Sequence, residues 1–262
     1  MQSSIVTIRT IDDVGQMRAV EELQKEVWGI PDIDVVPLTQ LVAAKEAGGT
    51  LIGAFDGETL VGFVYGFPSF EGGEPAHHSH MLAVKSDYRN LDLGRRLKLA
   101  QREYVAAQGI ELITWTFDPL QSLNAYFNFN KLGVVADKYL PDFYGVEASS
   151  FLHQTGTDRL WVSWWLSREP VMQTISEHGL PLVCVGEDDA PRRNDLSVCF
   201  ARDNTAIEIP GNINSLPRHT ALKWREETRW AFTQAIQGGY VAVGFIRQNE
   251  NGKYLLSRKS NR

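Results

Sequence analysis

The stretch LAVKSDYRNLDLGRRLK, Leu82 to Lys98, constrains the architecture of this 262-residue chain more than any other. The strand His78–Val84 runs into it, and apolar steps of three and four residues after Leu93 read as a helix, so the side-chain period changes across one short turn. That turn carries a single glycine, Gly94, and the arginines Arg89, Arg95 and Arg96. A helix opened in this way leaves its first N–H groups without intrahelical acceptors, and its dipole adds positive potential at the same end. The pattern favours an anion there.

The elements around the turn define the fold class. Ile5–Ile11 alternates as a strand, and Asp12 caps a helix with apolar positions Val14, Met17, Val20, Leu23 and Val27. A helix over Leu38–Ala47 ends at Gly48-Gly49, and strands Thr50–Phe55 and Leu60–Phe67 meet through Asp56-Gly57 as a hairpin. A polar connection, Glu71–Glu74, leads to the strand before the turn, and the helix Leu93–Gln108 stops at Gly109. Strand Glu111–Phe117, helix Ser122–Leu132 closed by Gly133, and strand Val134–Tyr139 follow. Asp158–Leu166, DRLWVSWWL, is apolar on both faces and reads as a covered strand.

A soft boundary near residue 170 divides the chain into a domain over 1–170 and a smaller β-α-β lobe over 171–262, a lid or a dimerisation element. The lobe holds strand Leu182–Val185, helix Leu216–Gln237 and a terminal hairpin, Tyr240–Arg247 with Tyr254–Ser257. Its helix has Ser215 and Pro217 at its start, and Ala221, Trp224, Ala231, Phe232 and Ala235 form its core stripe. Arg218, Lys223, Arg225 and Arg229 form a basic fringe that could recognise a carboxylate substrate or keep the helix soluble; with Glu226 and Glu227 interleaved, a solvated fringe is favoured.

A formal net charge of −6 argues against a nucleic-acid partner, which needs a net basic face. Cys184 and Cys199 lack Cys-x-x-Cys spacing and are expected as free thiols, with no metal site. The first residues, MQSSIVTIRTIDD, lack the order of a targeting peptide, and no apolar run reaches the length of a membrane span. A cytoplasmic protein without a membrane partner is expected.

The order β-α-α-β-β-β-α-β-α-β-β over residues 5–166 resembles the GNAT superfamily of N-acetyltransferases. The family's acyl-CoA signature, Gln/Arg-x-x-Gly-x-Gly/Ala, falls on Arg89, Asn90, Leu91, Asp92, Leu93 and Gly94, and Lys131-Leu132-Gly133 matches its Lys-Leu-Gly ending. The resemblance implies a mixed, mostly antiparallel α/β (α+β) sheet flanked by helices. It also implies that acetyl-CoA or another acyl-CoA is the co-substrate, its diphosphate held by the turn's N–H groups, with added charge from Arg95 and Arg96. The chain departs from the signature at Asp92, where relatives usually have glycine; an aspartate there is expected to turn onto the helix's own N–H groups as a cap.

The same resemblance implies the remaining roles. A main-chain N–H at Leu82 polarises the thioester carbonyl, and Val84 lies further along the cofactor strand. His78 stands at the position that often holds the general base, on the face of Leu82 by period two, with His80 as its rival and His77 opposite. The tyrosine that many relatives use to protonate the thiolate is replaced by Phe129, which leaves Tyr126, Tyr139, Tyr144 or water. Asn124 is a candidate partner for the pantetheine arm, and Asp118 a candidate for the acceptor ammonium. The expected reaction is N-acyl transfer to a primary amine of a small molecule, with an amino-acid-like acceptor leading and a homodimer as one possible assembly. The competing reading is a catalytically quiet acyl-CoA-binding module.

Overall fold

The computed structural model describes residues 6–145, 155–167, 179–248 and 250–259. The boundary read near residue 170 lies outside these residues, as does Ile5 at the start of the first strand. The chain forms two compact units: residues 1–115 with 150–152 and 165–167, and residues 116–149 with 153–164 and 168–262.

The first unit contains β1 (Thr7–Thr10), α1 (Val14–Trp28), α2 (Leu38–Glu46), β2 (Thr50–Asp56), β3 (Thr59–Glu71), β4 (Glu74–Val84), α3 (Leu93–Ala107) and the start of β5 (Leu112–Phe117). Its strands lie in the order β1-β2-β3-β4-β5. Each pair up to β4 is antiparallel, and β4 pairs with β5 in parallel. Helices cover both faces because both are apolar. Met17, Val20, Leu23 and Leu41 from α1 and α2 pack on Leu51, Phe63 and Tyr65. Leu93 and Leu97 from α3 pack with Ile52, Val61 and Val64 on the other side. Each such fully buried chain contributes about 1.5–3 kcal/mol.

Two details differ from the sequence reading. The cap of α1 is Asp13, whose carboxylate accepts the Gln16 N–H at 3.1 Å, whereas Asp12 accepts from the Thr10 hydroxyl at 2.8 Å. The β3–β4 ladder also extends to Glu71↔Glu74 across a turn at Gly72-Gly73, both at positive φ. Pro68, Ser69 and Pro75 interrupt the apolar alternation there, so periodicity alone ends these strands early.

The second unit contains the rest of β5, α4 (Ser122–Tyr126), β6 (Val135–Leu140), β7 (Arg159–Trp165, its last residue excepted), β8 (Val183–Val185), β9 (Pro191–Arg193), α5 (Leu196–Cys199), β10 (Asn204–Pro210), α6 (Arg218–Gln237), β11 (Tyr240–Gln248) and β12 (Asn251–Arg258). An antiparallel sheet runs β7-β6-β11-β12-β10. The helix α6 packs across β6, β10 and β11, and all five residues of its expected stripe are buried. In addition to the strand, helix and hairpin expected, the C-terminal region holds β9, α5 and β10. The helix read over Ser122–Leu132 is α-helical only to Tyr126 and continues as a π-helix, Phe127–Leu132, closed by Gly133 at φ 72°. Cys184 and Cys199 are both buried free thiols.

Candidate active site

The site is built where β4 and β5 part. Among the described residues the two strands pair only at His77↔Ile113 and His78↔Thr114, so β4 from Ser79 to Val84 presents an open edge on that side. A bulge lies at the same place: Gly66 opposes Ser79 and Tyr65 opposes Met81, which leaves His80 as an extra residue. The bulge corrects the face assigned from period two. Directly opposed residues share a face, so His78 lies with Phe67 on the α1/α2 side, while Leu82 lies with Val64 on the α3 side.

His78 and His80 do come together, with ring centroids 6.4 Å apart. The Phe67 ring lies 5.5 Å from His78 and 5.8 Å from His80, and Tyr65 stands edge-on to His80. His78 is half-buried, with Nδ1 3.1 Å from the Thr114 hydroxyl. Burial lowers its pKa to about 4, helped by the neighbouring His80 and Lys98 charges. His80 is open to solvent on one side and crowded by aromatic rings on the other, and that crowding lowers its pKa as well. Both imidazoles are therefore neutral at pH 7 and able to accept a proton, His80 with the better access.

On the α3 side of the fork a polar chain is buried within the apolar layer. Lys98 donates to Ser79 Oγ at 2.9 Å and to Gln101 Oε1 at 2.8 Å, and its Nζ lies 3.8 Å from the centroid of the Trp115 ring. Gln101 donates to Thr50 Oγ1 at 2.9 Å, and that hydroxyl lies 3.0 Å from His77 Nε2. Gly66 leaves the room for this chain, since a Cβ there would stand 2.5 Å from His77 Nε2 and 2.9 Å from Gln101 Nε2. Burial pushes the Lys98 ammonium well below the usual lysine range. It lowers His77 to about 3, with Lys98 and His78 adding repulsion. The sequence reading singled out none of this chain except His77. The available signal was that Lys98 and Gln101, three apart, share the buried stripe of α3 with Leu97 and Val105.

The anion turn takes the expected place, from a 3-10 segment over Ser86–Leu91 into α3. Asp92 does not cap the helix. It adopts a left-handed backbone (φ 54°, ψ 22°), and among the described residues its side chain makes no capping hydrogen bond, standing instead 3.8 Å from Arg95. The left-handed geometry explains the correction, because an N-cap carboxylate reaches back to the first N–H groups from an extended backbone. It also explains why glycine suits this position, and why aspartate, among the residues that tolerate positive φ, can replace it. The first helical bond is Arg96 N–H to Asp92 C=O, so the N–H groups of Leu93, Gly94 and Arg95 precede it at the open end. Arg89, Asn90 and Leu91 are exposed beside them, and Leu93 is buried in the core. Arg95 keeps its side chain 43% exposed, but Arg96 is committed elsewhere, donating to the Val6 carbonyl at 2.7 Å.

Asn124 and Tyr126 belong to the second unit, where both are exposed on α4 beside the exposed Leu123. Phe129 is core, buried edge-on against Tyr254 at 5.8 Å. Tyr139 is held by Asp158, donating to Oδ2 at 2.7 Å. Asp118, read as a partner for an ammonium, is already engaged by Arg225. Arg225 and Arg229 are thus not a solvated fringe: Arg225 is buried, and Arg229 pairs with Asp142 and Asp158.

The first unit thus brings together a fork between parallel strands, a helix start without a side-chain cap and two proton-accepting imidazoles. Residues 16–133 match the family model of the acetyltransferase (GNAT) family, and that stretch is a GNAT domain. Similar solved structures include an aminoglycoside 6'-N-acetyltransferase complexed with coenzyme A (19% identity, TM-score 0.50, 63% of this chain and 99% of that one). A GNAT-family acetyltransferase from Desulfovibrio desulfuricans has 15% identity and TM-score 0.51, covering 62% of this chain and all (100%) of that one. The ribosomal-protein-S18-alanine N-acetyltransferase from Escherichia coli has 12% identity and TM-score 0.50, covering 63% and 96%. At these identities the likeness shows the fold. No curated protein matched the chain.

Proposed function

We propose that the chain transfers an acyl group from acetyl-CoA or a related acyl-CoA to a primary amine of a small molecule, with amino acids as the leading acceptor class. In this reading residues 1–170 carry the chemistry and 171–262 serve as an accessory lobe. The observation that carries it is the uncapped start of α3, where the N–H groups of Leu93, Gly94 and Arg95 precede the first helical bond and Arg95 and Arg89 flank them. Backbone donors at a helix N-terminus suit a diphosphate. The similar aminoglycoside 6'-N-acetyltransferase carries coenzyme A as its ligand, which supports the same co-substrate here.

The other parts have physical roles in that reaction. The open edge of β4 supplies main-chain donors for an extended pantetheine arm and, at Leu82, for the thioester carbonyl. The amine must be neutral to attack, and His80, with His78 behind it, accepts its proton directly or through water. Collapse of the tetrahedral adduct expels the CoA thiolate, a good leaving group at neutral pH even when the proton comes from water.

Turnover tests the reading. Purified protein, acetyl-CoA and a panel of amino acids and small amines should release free CoA thiol at a rate that saturates with acetyl-CoA. Saturable CoA binding without release would favour the quiet module, and no binding at millimolar CoA would remove both.

A further inference from the structure

We propose that Lys98 is a positioning residue that fixes the fork between β4 and β5, acting through Ser79, Gln101 and Trp115. Ser79 is the first β4 residue beyond the last position paired with β5, and Trp115 is the first β5 residue beyond the same pair, His78↔Thr114. Lys98 Nζ touches both, donating to Ser79 Oγ at 2.9 Å and lying 3.8 Å from the Trp115 ring centroid. Direct strand pairing ends, and a side chain from α3 takes over at the next residue of each strand.

The choice of residue type supports a geometric role. Lys98 is 2% exposed, and an apolar chain of similar length would fill the space without taking a polar group out of water. The Lys98 amino group adds directed hydrogen-bond donors and stands over a ring face, so it specifies where its partners stand. Gln101 extends the constraint to β2 through Thr50, and Thr50 to His77, so α3, β2, β4 and β5 are tied to one point. Lys98 lies one helical turn beyond Gly94. The helix start that would hold the diphosphate is thereby coupled to the bulge that precedes Leu82. The catalytic half of the inference rests on the acyl-transfer reading; the structural half does not.

The test compares the full-length protein with Lys98→Met by amide hydrogen exchange, CoA affinity and turnover. Exchange at Ser79–Leu82 and Trp115 should rise about tenfold or more while Val105 and the α1 amides stay as in the parent. CoA affinity should change less than about threefold while kcat falls about 100-fold, since a shift near 1 Å at the reacting centre has that effect. Unchanged exchange at the fork, or a uniform rise throughout the unit, would overturn the positioning role, as would local loosening with unaltered kcat. If Lys98→Met does not fold, Ser79→Ala removes one acceptor and should loosen the same amides, with the same outcomes deciding. A parent protein that binds no CoA and shows no turnover would fail the acyl-transfer reading, and the exchange pattern would then decide the fork claim by itself.

Discussion

Arg225 Nη2 lies 2.8 Å from each carboxylate oxygen of Asp118, and both side chains are nearly sealed from solvent, at 4% and 14% exposure. The arginine comes from α6 and the aspartate from the turn after β5, so the C-terminal helix holds the strand end in place within the second unit. Nε of the same guanidinium donates to the Thr155 carbonyl at 3.2 Å.

Removing one partner of this pair leaves the other charge buried. Arg225→Met should therefore destabilise the second unit by about 3–5 kcal/mol, and Arg225→Met with Asp118→Asn should recover much of the loss. Urea unfolding of the two variants checks this. Equal destabilisation by the single and double changes would refute it.

Asp92→Gly should relieve a left-handed backbone and remove a carboxylate beside the anion turn. Because no cap bond is lost, the melting temperature should hold or rise slightly, and CoA should bind several-fold more tightly. Weaker binding measured by calorimetry would mean that the Asp92 carboxylate helps to shape the turn.

Acid should unfold the first unit through its buried histidines. His77 and His78 have folded pKa values near 3 and 4, below the ordinary 6.5, so between those values the unfolded chain binds protons that the folded one refuses. Stability is then full above about pH 6.5 and declines as pH falls, by up to about 1.4 kcal/mol per pH unit for each histidine. His77→Gln should flatten that decline between pH 6.5 and 4.5 in urea titrations; an unchanged slope would show that other groups dominate.

His80→Ala should lower kcat about 100-fold with little effect on CoA affinity, and His78→Gln should cost less. Loss at His80 should weaken the dependence of rate on pH on the acid side. Equal activity of His80→Ala and the parent across pH 6–9 would take His80 out of proton transfer, and equal activity of His78→Gln would do the same for His78.

The strand-turn-helix junction, the hairpin at Asp56-Gly57 and the α6 stripe were legible because each follows from local period and turn chemistry. The face of His78 was not, because a single inserted residue at His80 is invisible to a count by twos. Nor was the engagement of Arg225, whose partner is 107 positions away in the chain. Arg225 and Glu226 look alike as charges on a helix, and only burial, which is set by tertiary packing, tells them apart. The Lys98 chain lies between these cases: its helical face was readable, its partners on β2, β4 and β5 were not.

The extra residue at His80 makes strand β4 a splice between two reading frames of the sheet. Deleting it would let the ladder run unbroken with Met81 still opposite Tyr65 and Leu82 still opposite Val64, so no paired side chain would change sides; what would go is the local kink and the one imidazole that stands outside the pairing. One amino acid of chain length thus puts three residues rather than two between His78 and Leu82, and supplies the exposed imidazole beside the open edge.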